Sequence, residues 1–480
     1  MPAADDRLRT GSPDLDFILG GGLPRGSTTV IAGPPGSGKT VLAQQIAFAN
    51  ATAENPVLYY TSWSEPHAKL LRNLSGFDFF DEKAIGQRIE VLHLPSISQD
   101  PRVPDLEEMS QELFRASVER QPAMVVIDSS KALHGLVPED QLRRVFYELA
   151  SRVGQTRTVL LLVGEYTPAE IEQEPEFAVA DGILQFANES RGLTDRRWVR
   201  VVKMRGSANL PGQHSLTISE RGIQAFPRLE TIVPGEPVPQ HDRAGLGDEG
   251  FDRMTGGGLP RGDGTLVLGP AGIGKTVLGL AFIAEGLRLG ESALYLSFQE
   301  TSAELVAKAT ALGWPQIASG FEQGRLQIIQ MRPVDLDLDQ VGITLRDGLQ
   351  RGQAKRVVVD SVAELNLRSR EPDRYLSYLW AIVHLVTAYG ATGIFTQETT
   401  TLGPQVSQEL LSFVFQNVIT MRFVEYGEQL SRAIGTFKMR ASSHDTDLLE
   451  FKIGPKRLTT LGKIAGLSGL LGWSALRKEG

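Results

Sequence analysis

The sequence predicts an α/β chain built from two tandem copies of one phosphate-binding domain, each a mainly parallel twisted sheet flanked by helices. Three observations carry that prediction. The stretch Gly33-Pro34-Pro35-Gly36-Ser37-Gly38-Lys39-Thr40 fits a pattern of Gly, four residues, then Gly-Lys-Thr, and Gly269-Pro270-Ala271-Gly272-Ile273-Gly274-Lys275-Thr276 fits it again 236 residues on. Each follows a short apolar run (Thr28 to Ala32, Thr265 to Leu268) and opens a stretch of helical period (Val41 to Ala49, Val277 to Ala284). That is the strand–loop–helix context a phosphate loop requires. Short Val/Ile/Leu runs then alternate with helical stretches through both halves, as parallel strands covered on both faces do.

The loop chemistry follows from its residue types. Glycines let successive backbone N–H groups curl around a β-phosphate without Cβ interference, and the helix start adds its positive dipole end. Lys39 and Lys275 are placed to reach the β- and γ-phosphates of a nucleotide, and Thr40 and Thr276 to ligate Mg²⁺. A glycine turn that merely precedes a helix is the competing reading. Two copies in register leave it little room.

Bulk composition bounds the remaining classes. At 480 residues, two or three domains are expected. Apolar content of 41% and charged content of 22% suit globular domains. A net charge of −8 offers no global field to draw in nucleic acid or an anionic membrane. The chain has no cysteine, which excludes disulfides and thiolate metal sites and fits a reducing cytoplasm. Met1 to Arg9 lacks the apolar core of a signal peptide, and no run of 18 apolar residues appears. No membrane association and a cytoplasmic location are the expectations.

The duplication extends well beyond the loops. Upstream, Gly11-x3-Leu15-Asp16-x3-Gly20-Gly21-Gly22-Leu23-Pro24-Arg25-Gly26 matches Gly247-x3-Phe251-Asp252-x3-Gly256-Gly257-Gly258-Leu259-Pro260-Arg261-Gly262. Downstream, Met124-Val125-Val126-Ile127-Asp128-Ser129 matches Val357-Val358-Val359-Asp360-Ser361, and Lys203-Met204-Arg205 matches Lys438-Met439-Arg440. Strands are expected at Val57–Thr61, Met124–Ile127, Thr158–Val163 and Gly182–Phe186, and again at Ala293–Ser297, Val357–Val359, Gly393–Thr396 and Asn417–Phe423. Trp198–Lys203 and Thr436–Met439 are expected as antiparallel edge strands. The boundaries read as a first domain at 1–228, a proline-bearing linker at 229–243, a second domain at 244–454 and a tail at 455–480. In the tail, leucines interleave with Gly462, Gly466, Gly469 and Gly472, which suggests a helix docking on its own or a neighbouring subunit; a partner or membrane-surface helix is the alternative.

Chemistry beyond the loop needs carboxylates. Asp128 and Asp360 each close an apolar strand, where a carboxylate can hold the magnesium shell opposite the loop Thr or else cap a helix. A base near the γ-phosphate is sought just after the second strand of each copy, in Ser64-Glu65 and Gln299-Glu300. A solvated glutamate opening a helix is the equal alternative for Glu65 and Glu300. Glu165 and Glu398, after the fourth run, stand as candidates one layer further out. Lys203/Arg205 and Lys438/Arg440 sit two apart on a strand, so each pair shares a face. They could serve a transition-state phosphate from an adjacent subunit, or form a solvated basic stripe.

With these residues in hand, the chain resembles the KaiC family of circadian clock proteins across both halves, the tail excepted. Carrying the resemblance are Gly-Gly-Gly-Leu-Pro before each loop, both phosphate loops, Val-Val-Ile-Asp and Lys203-Met204-Arg205-Gly206. Most specific is Gly427-Glu428-Gln429-Leu430-Ser431-Arg432-Ala433-Ile434-x2-Phe437-Lys438-Met439-Arg440-x-Ser442-x-His444-Asp445. The resemblance implies a RecA-like P-loop NTPase fold, a double-ring homohexamer, ATP with Mg²⁺ bound between subunits, slow hydrolysis mainly in the first ring, and autophosphorylation in the second. It assigns nucleotide contacts to Gly36, Ser37, Gly38, Lys39, Thr40 and Val41, and to Gly272, Ile273, Gly274, Lys275, Thr276 and Val277. Contacts from the adjacent subunit fall on Lys203, Met204, Arg205, Ser207, Asn209, Ser219 and Glu220, and on Arg432, Lys438, Met439, Arg440, Ser442 and His444.

Three departures qualify what the resemblance implies. The family carries two consecutive glutamates after the second strand, the first assigned as base, whereas Ser64-Glu65 and Gln299-Glu300 keep only the second. Neither Ser nor Gln accepts a proton as a carboxylate does, though Gln can orient a water. The family's Ser-Thr phosphoacceptor pair falls on Ser412-Phe413, leaving Ser412 as the single acceptor. The tail does not resemble the segment that recruits KaiA, so KaiA binding is not expected, while a KaiB-like or histidine-kinase partner is. The leading expectation is thus a KaiC-like ATPase with a reduced serine/threonine autokinase, in clock-type timing or signalling. A catalytically weak ATP-dependent scaffold is the second reading. A RecA-like DNA recombinase or helicase is the third, opposed by the acidic charge and the absence of a Lys/Arg-rich block.

Overall fold

A computed structural model describes residues 6–61, 67–93, 111, 115–116, 118–134, 139–191, 194–232, 235, 240–332, 336–369, 372–399, 413–426, 429–440, 444–454, 458–464, 467–468 and 476–477. The chain divides into two compact units at Thr231/Ile232. Each is a RecA-like α/β domain with a nine-stranded sheet.

In the first unit the strands are β1 Thr28–Gly33, β2 Val57–Thr61, β3 Ile89–His93, β4 Met124–Asp128, β5 Val159–Glu165, β6 Gly182–Arg191, β7 Thr194–Met204, β8 Gln213–Ser219 and β9 Gly222–Phe226. Their order across the sheet is β9-β8-β7-β6-β1-β5-β4-β2-β3. Strands β1 to β6 run parallel, while β7, β8 and β9 add antiparallel neighbours. The phosphate-loop strand is central, so all six of its residues are buried.

Alternation along the strands divides the core. Ile31, Tyr59, Val126 and Leu161 face one side, against Leu42 and Ile46 of α1 (Lys39–Asn50). Val30, Leu58, Val125 and Leu162 face the other, against Leu142, Phe146 and Leu149 of α2 (Glu139–Val153). Fully burying each such Leu or Phe contributes about 1.5–3 kcal/mol. The near-continuous apolar runs in the sequence are what a two-sided parallel sheet demands.

The second unit repeats the plan. Its strands are β10 Gly264–Gly269, β11 Ala293–Ser297, β12 Leu326–Gln330, β13 Arg356–Asp360, β14 Thr392–Glu398, β15 Asn417–Tyr426, β16 Gln429–Met439, β17 Leu449–Ile453 and β18 Leu458–Lys463. The order β12-β11-β13-β14-β10-β15-β16-β17-β18 reproduces that of the first unit strand for strand. Helix α3 (Lys275–Arg288) packs Leu278, Phe282 and Ile283 into one apolar cluster with Val267, Tyr295 and Val358.

Two expectations change. The antiparallel rim is present, but β7 and β16 are not edges: each is followed by two further strands, the first of which (Gln213–Ser219, Leu449–Ile453) carries the apolar/polar alternation of a half-buried strand. The helix suggested after Gly454 is instead a strand over Leu458–Lys463, paired antiparallel with β17, so the second sheet runs to Lys463. Glycine costs a helix about 1 kcal/mol per position, and Gly462 sits at φ +138°. Leu458 is buried, and Thr460 Oγ1 donates to Asp248 Oδ1 at 2.6 Å, which ties the strand to the start of the unit.

Candidate nucleotide site

Each phosphate loop lies at the C-terminal end of the central strand and hands over directly to a helix. Gly38 and Gly274 stand at the helix N-caps with φ +103° and +117°. A Cβ on Gly38 would come 2.9 Å from Ile218 Cδ1 and Ile223 Cδ1, and one on Gly274 would come 2.7 Å from Ile453 Cδ1. Glycine is needed there for both conformation and room. Gly36 and Gly272 share φ +72° but face open space.

In the first unit the loop borders a cleft of about 670 Å³, lined by Gly36, Gly38, Lys39, Thr40, Val41, Asp128, Lys131, Glu165 and Ile218 among others. Lys39 Nζ donates to Pro34 O at 2.8 Å. Burial lowers its pKa, while Glu165 and then Asp128 pull it back up. Asp128 accepts from Tyr59 OH at 2.9 Å. In the second unit Lys275 Nζ donates to Gly269 O and Pro270 O, both at 2.9 Å. Burial lowers this pKa too, opposed by Glu398 and then Asp360.

The donor set fits ATP with Mg²⁺. Thr276 Oγ1 donates to Asp360 Oδ2 at 2.7 Å, which brings together the hydroxyl and carboxylate that a magnesium shell uses. Tyr295 OH also donates to Asp360 Oδ2, at 2.8 Å, and Thr396 donates to Oδ1. Burial, reinforced by Asp360, pushes the Tyr295 phenol well above its ordinary range, so it stays a donor. The two tyrosines went unnoticed in the sequence, although they recur at the offset of the duplicated loops (Tyr59, Tyr295).

The candidates after the second strand are placed unevenly. Ser64 and Glu65 lie outside the described residues, as do Ser412 and Ser442. Gln299 Nε2 donates to Glu364 Oε1 at 2.8 Å. Both Glu300 carboxylate oxygens accept from Lys308 Nζ, at 2.5 and 2.6 Å. Glu165 and Glu398 instead end the strands next to the loop strands, directly across from Gly33 and Gly269 in register. Phe413, beside the candidate acceptor, is 76% exposed.

The remaining candidates separate to opposite ends of each sheet. Lys203 pairs with Ile183 on β6, whose neighbour Gly182 pairs with Thr29 at the beginning of β1. Lys203, Met204, Arg205, Ser207 and Asn209 therefore sit at the end away from their own phosphate loop, roughly 17 Å along the strand. Arg205 Nη1 meets Asp181 Oδ1 at 3.2 Å, and Arg7 Nη1 donates to Ser207 Oγ at 3.1 Å. Burial, then the neighbouring Arg205, lowers the Lys203 pKa. Met204 is buried, and Asn209 lies just before Leu210, which bonds to Ile18.

The second unit matches. Lys438 pairs with Val418, which pairs with Leu266 near the beginning of β10, so Lys438, Met439 and Arg440 share the far end. Lys438 Nζ donates to Phe415 O at 3.0 Å, and burial, then Arg440, lowers its pKa. His444 adjoins Asp445, whose N–H reaches Met254 O. Ser219, Glu220 and Arg432 belong to the loop end instead: Ser219 closes β8 next to Ile218, and Arg432 pairs with Phe423, three residues beyond Thr420, which is the partner of Leu268. Arg432 Cζ lies 5.8 Å from the Phe423 ring centroid. Arg197, a position that sequence reasoning passed over, donates from Nε to Gly36 O at 3.1 Å.

One further cluster adjoins the first cleft. His134 Nε2 is 3.0 Å from Glu176 Oε1 and Nδ1 is 3.5 Å from Glu174 Oε2, so both ring nitrogens are engaged. Lys131, which lines the cleft, pairs with Glu170 and lies over the Tyr166 ring at 4.7 Å. Burial, then Glu176, drives the Tyr166 phenol far above its ordinary pKa, so it too remains a donor.

Fold and loop together define a duplicated P-loop ATPase. The family model described as "ATPase: KaiC" matches residues 8–230 and 245–463, and the chain belongs to that family. It is similar to the circadian clock protein KaiC3 of Synechocystis sp. (strain PCC 6803), with 28% identity covering 97% of this chain and 94% of the relative. It is also similar to the circadian clock oscillator protein KaiC of Parathermosynechococcus lividus, at 26% identity over 98% of this chain and 88% of the relative. No described helix is long and apolar enough to cross a membrane.

Proposed function

We propose that the chain forms a homohexameric ring in which ATP and Mg²⁺ lie between adjacent subunits and are slowly hydrolysed. The carrying observation is the division of each sheet into a loop end and a cation end. Lys203 and Arg205 cannot reach the phosphates held by Lys39 of the same chain, nor Lys438 and Arg440 those held by Lys275, but a head-to-tail neighbour brings one end onto the other. Heterologous contacts of this kind close into rings when the rotation between neighbours closes. Magnesium is held by Thr40 with Asp128 and by Thr276 with Asp360, and the arriving cations neutralise charge on the transferring phosphoryl group.

The names of the relatives support a role in clock-type timing or signalling, with a KaiB-like protein or a histidine kinase reading the nucleotide state. Ser412 is the residue for autophosphorylation. A second reading, a catalytically weak ATP-dependent scaffold, is favoured in the second unit by the engagement of Gln299 with Glu364 and of Glu300 with Lys308.

Native mass spectrometry with and without Mg-ATP, combined with ADP release and intact mass, tests the proposal. The expected result is a nucleotide-dependent hexamer with measurable turnover and at most one added phosphate, on Ser412. Substituting Lys203 and Arg205 by alanine should lower first-unit turnover while the isolated subunit still binds nucleotide. A monomer that ignores Mg-ATP overturns the proposal, and a hexamer without turnover selects the scaffold.

A further inference from the structure

We propose that Glu165, and Glu398 in the second unit, is the carboxylate that orients and deprotonates the attacking water. The inference rests on the ATPase reading above and names a group that the family's twin-glutamate position does not supply. Residues 64 and 299 are Ser and Gln, and Glu300 has both oxygens on Lys308. In the second unit, therefore, no free carboxylate remains at that position, and a base shared by both units has to come from elsewhere along the edge of the phosphate loop.

The parallel sheet supplies one position per unit. Glu165 is the last residue of β5 and stands opposite Gly33, the first residue of the loop. Glu398 ends β14 opposite Gly269 in the same way. Adjacent strands are about 4.8 Å apart, so each carboxylate starts within one side chain's reach of the loop. The preceding residues Val159–Gly164 are all buried, and Glu165 alone emerges, into the cleft shared with Lys39, Thr40 and Asp128. On Thr392–Glu398 the strand is likewise buried until its end, and Glu398 is exposed. In both units the same carboxylate is the foremost charge acting on the loop lysine, ahead of the strand-ending aspartate.

Tyr166, directly after Glu165, is anchored in the core by hydrogen bonds to Glu176 and Ser130, which fixes the backbone from which Glu165 projects. The aspartates are unsuited to the task. Asp128 is held by Tyr59, and Asp360 by Tyr295, Thr276 and Thr396, which suits a metal ligand rather than a mobile base.

A lone pair of the water oxygen forms the new bond to the γ-phosphorus. The bond from that phosphorus to the β–γ bridging oxygen breaks, and its electron pair leaves on the terminal oxygen of ADP. The water proton passes to the Glu165 carboxylate and from there to solvent.

The test uses the full chain carrying Glu165→Gln, Glu398→Gln or both, with Mg-ATP binding, ADP release and the pH profile of kcat measured on each. General-base catalysis contributes on the order of 10²–10⁴-fold. The double variant should therefore bind two Mg-ATP per chain with wild-type affinity, lose at least ~100-fold in turnover, and lose the acid limb of its pH profile. Each single variant should remove only the share of one unit. Turnover of the double variant within threefold of wild type overturns the assignment, and so does loss of Mg-ATP binding, which would make both residues part of the grip. If the wild-type chain neither binds nor hydrolyses Mg-ATP, it is the ATPase reading that fails.

Discussion

Replacing Lys39 by methionine separates the affinity of the first site from the stability of its loop. The Lys39 ammonium is buried and donates to Pro34 O at 2.8 Å. Methionine keeps an apolar stem of similar length and removes the charge. A hydrogen bond to a charged group contributes ~1.5–3 kcal/mol. With Lys39 serving two phosphates, as proposed, about 3 kcal/mol of binding should be lost, on the order of 150-fold in affinity. Folding responds differently, because the variant also removes a cation that burial disfavours, and its stability at neutral pH should stay within ~1 kcal/mol of wild type.

The alkaline behaviour gives an independent sign. The folded pKa of Lys39 lies below its ordinary 10.5, so between those values the unfolded chain binds more protons and stability rises with pH. That rise should be missing from Lys39→Met when the two urea-unfolding series are subtracted. Equilibrium titration with Mg-ATP supplies the main readout. Lys275 keeps the second site, so stoichiometry should fall from two nucleotides per chain to one at concentrations a few times the wild-type Kd. Two nucleotides bound with unchanged affinity would refute the role given to Lys39.

Three further outcomes are expected. Gly38→Ala forces a side chain into φ +103° and within 2.9 Å of two isoleucine methyls, costing about 1–2 kcal/mol and weakening Mg-ATP binding, whereas Gly36→Ala meets no neighbour and bears only the backbone cost; chemical denaturation of the pair measures the difference. Thr301→Ala removes a capping box in which Thr301 and Glu304 satisfy each other's backbone N–H groups, and should lower stability by ~1 kcal/mol, read as a Tm shift with little change in nucleotide binding. Asp16 is desolvated, which raises its pKa above 3.8 despite its bond from Thr10 N at 2.7 Å. The folded state therefore holds that proton longer than the unfolded one, and the associated stability is full below pH 3.8 and lost as pH climbs through the raised value. Asp16→Asn should flatten the acid arm of a stability–pH series, and an unchanged arm would show that Asp16 does not titrate with folding.

The sequence was most legible where physics is local. Gly-x4-Gly-Lys-Thr followed by a 3.6-residue period leaves the backbone few alternatives, and the central strands are continuous apolar runs because both of their faces are covered. The repeat motif Leu15-Asp16/Phe251-Asp252 was visible only as similarity. The structure supplies its cause, since each aspartate accepts a backbone N–H six residues upstream, from Thr10 and Leu246. Illegible were features set by pairing across the sheet. No residue near Glu165 in sequence says that Gly33 lies opposite it, and nothing in Lys203-Met204-Arg205 says which end of β1 it approaches. The strand at Leu458–Lys463 was hidden for the converse reason: its leucines mimic a helical stripe, and only the partner strand Leu449–Ile453 decides the period.

Duplication gave both units the same grip, but the polar side chains behind it have diverged. In the first unit, Ser130 and Lys131 follow Asp128; Lys131 reaches the cleft and Ser130 bonds Val163 O and Tyr166. In the second, Val362 and Ala363 occupy those places, and Glu364, one position on, takes Gln299. Lys131, paired with Glu170, thus lines the first cleft where the second unit has the methyl group of Ala363. A cation lining a cleft raises the local concentration of anionic substrate and speeds its capture, an effect that weakens with ionic strength. Nucleotide association at the first unit should therefore slow more, as salt is raised, than association at the second. Association rates measured over a salt series, with Lys39→Met and Lys275→Met isolating one site at a time, distinguish the two sites. Equal salt slopes would mean that Lys131 carries no part in capture.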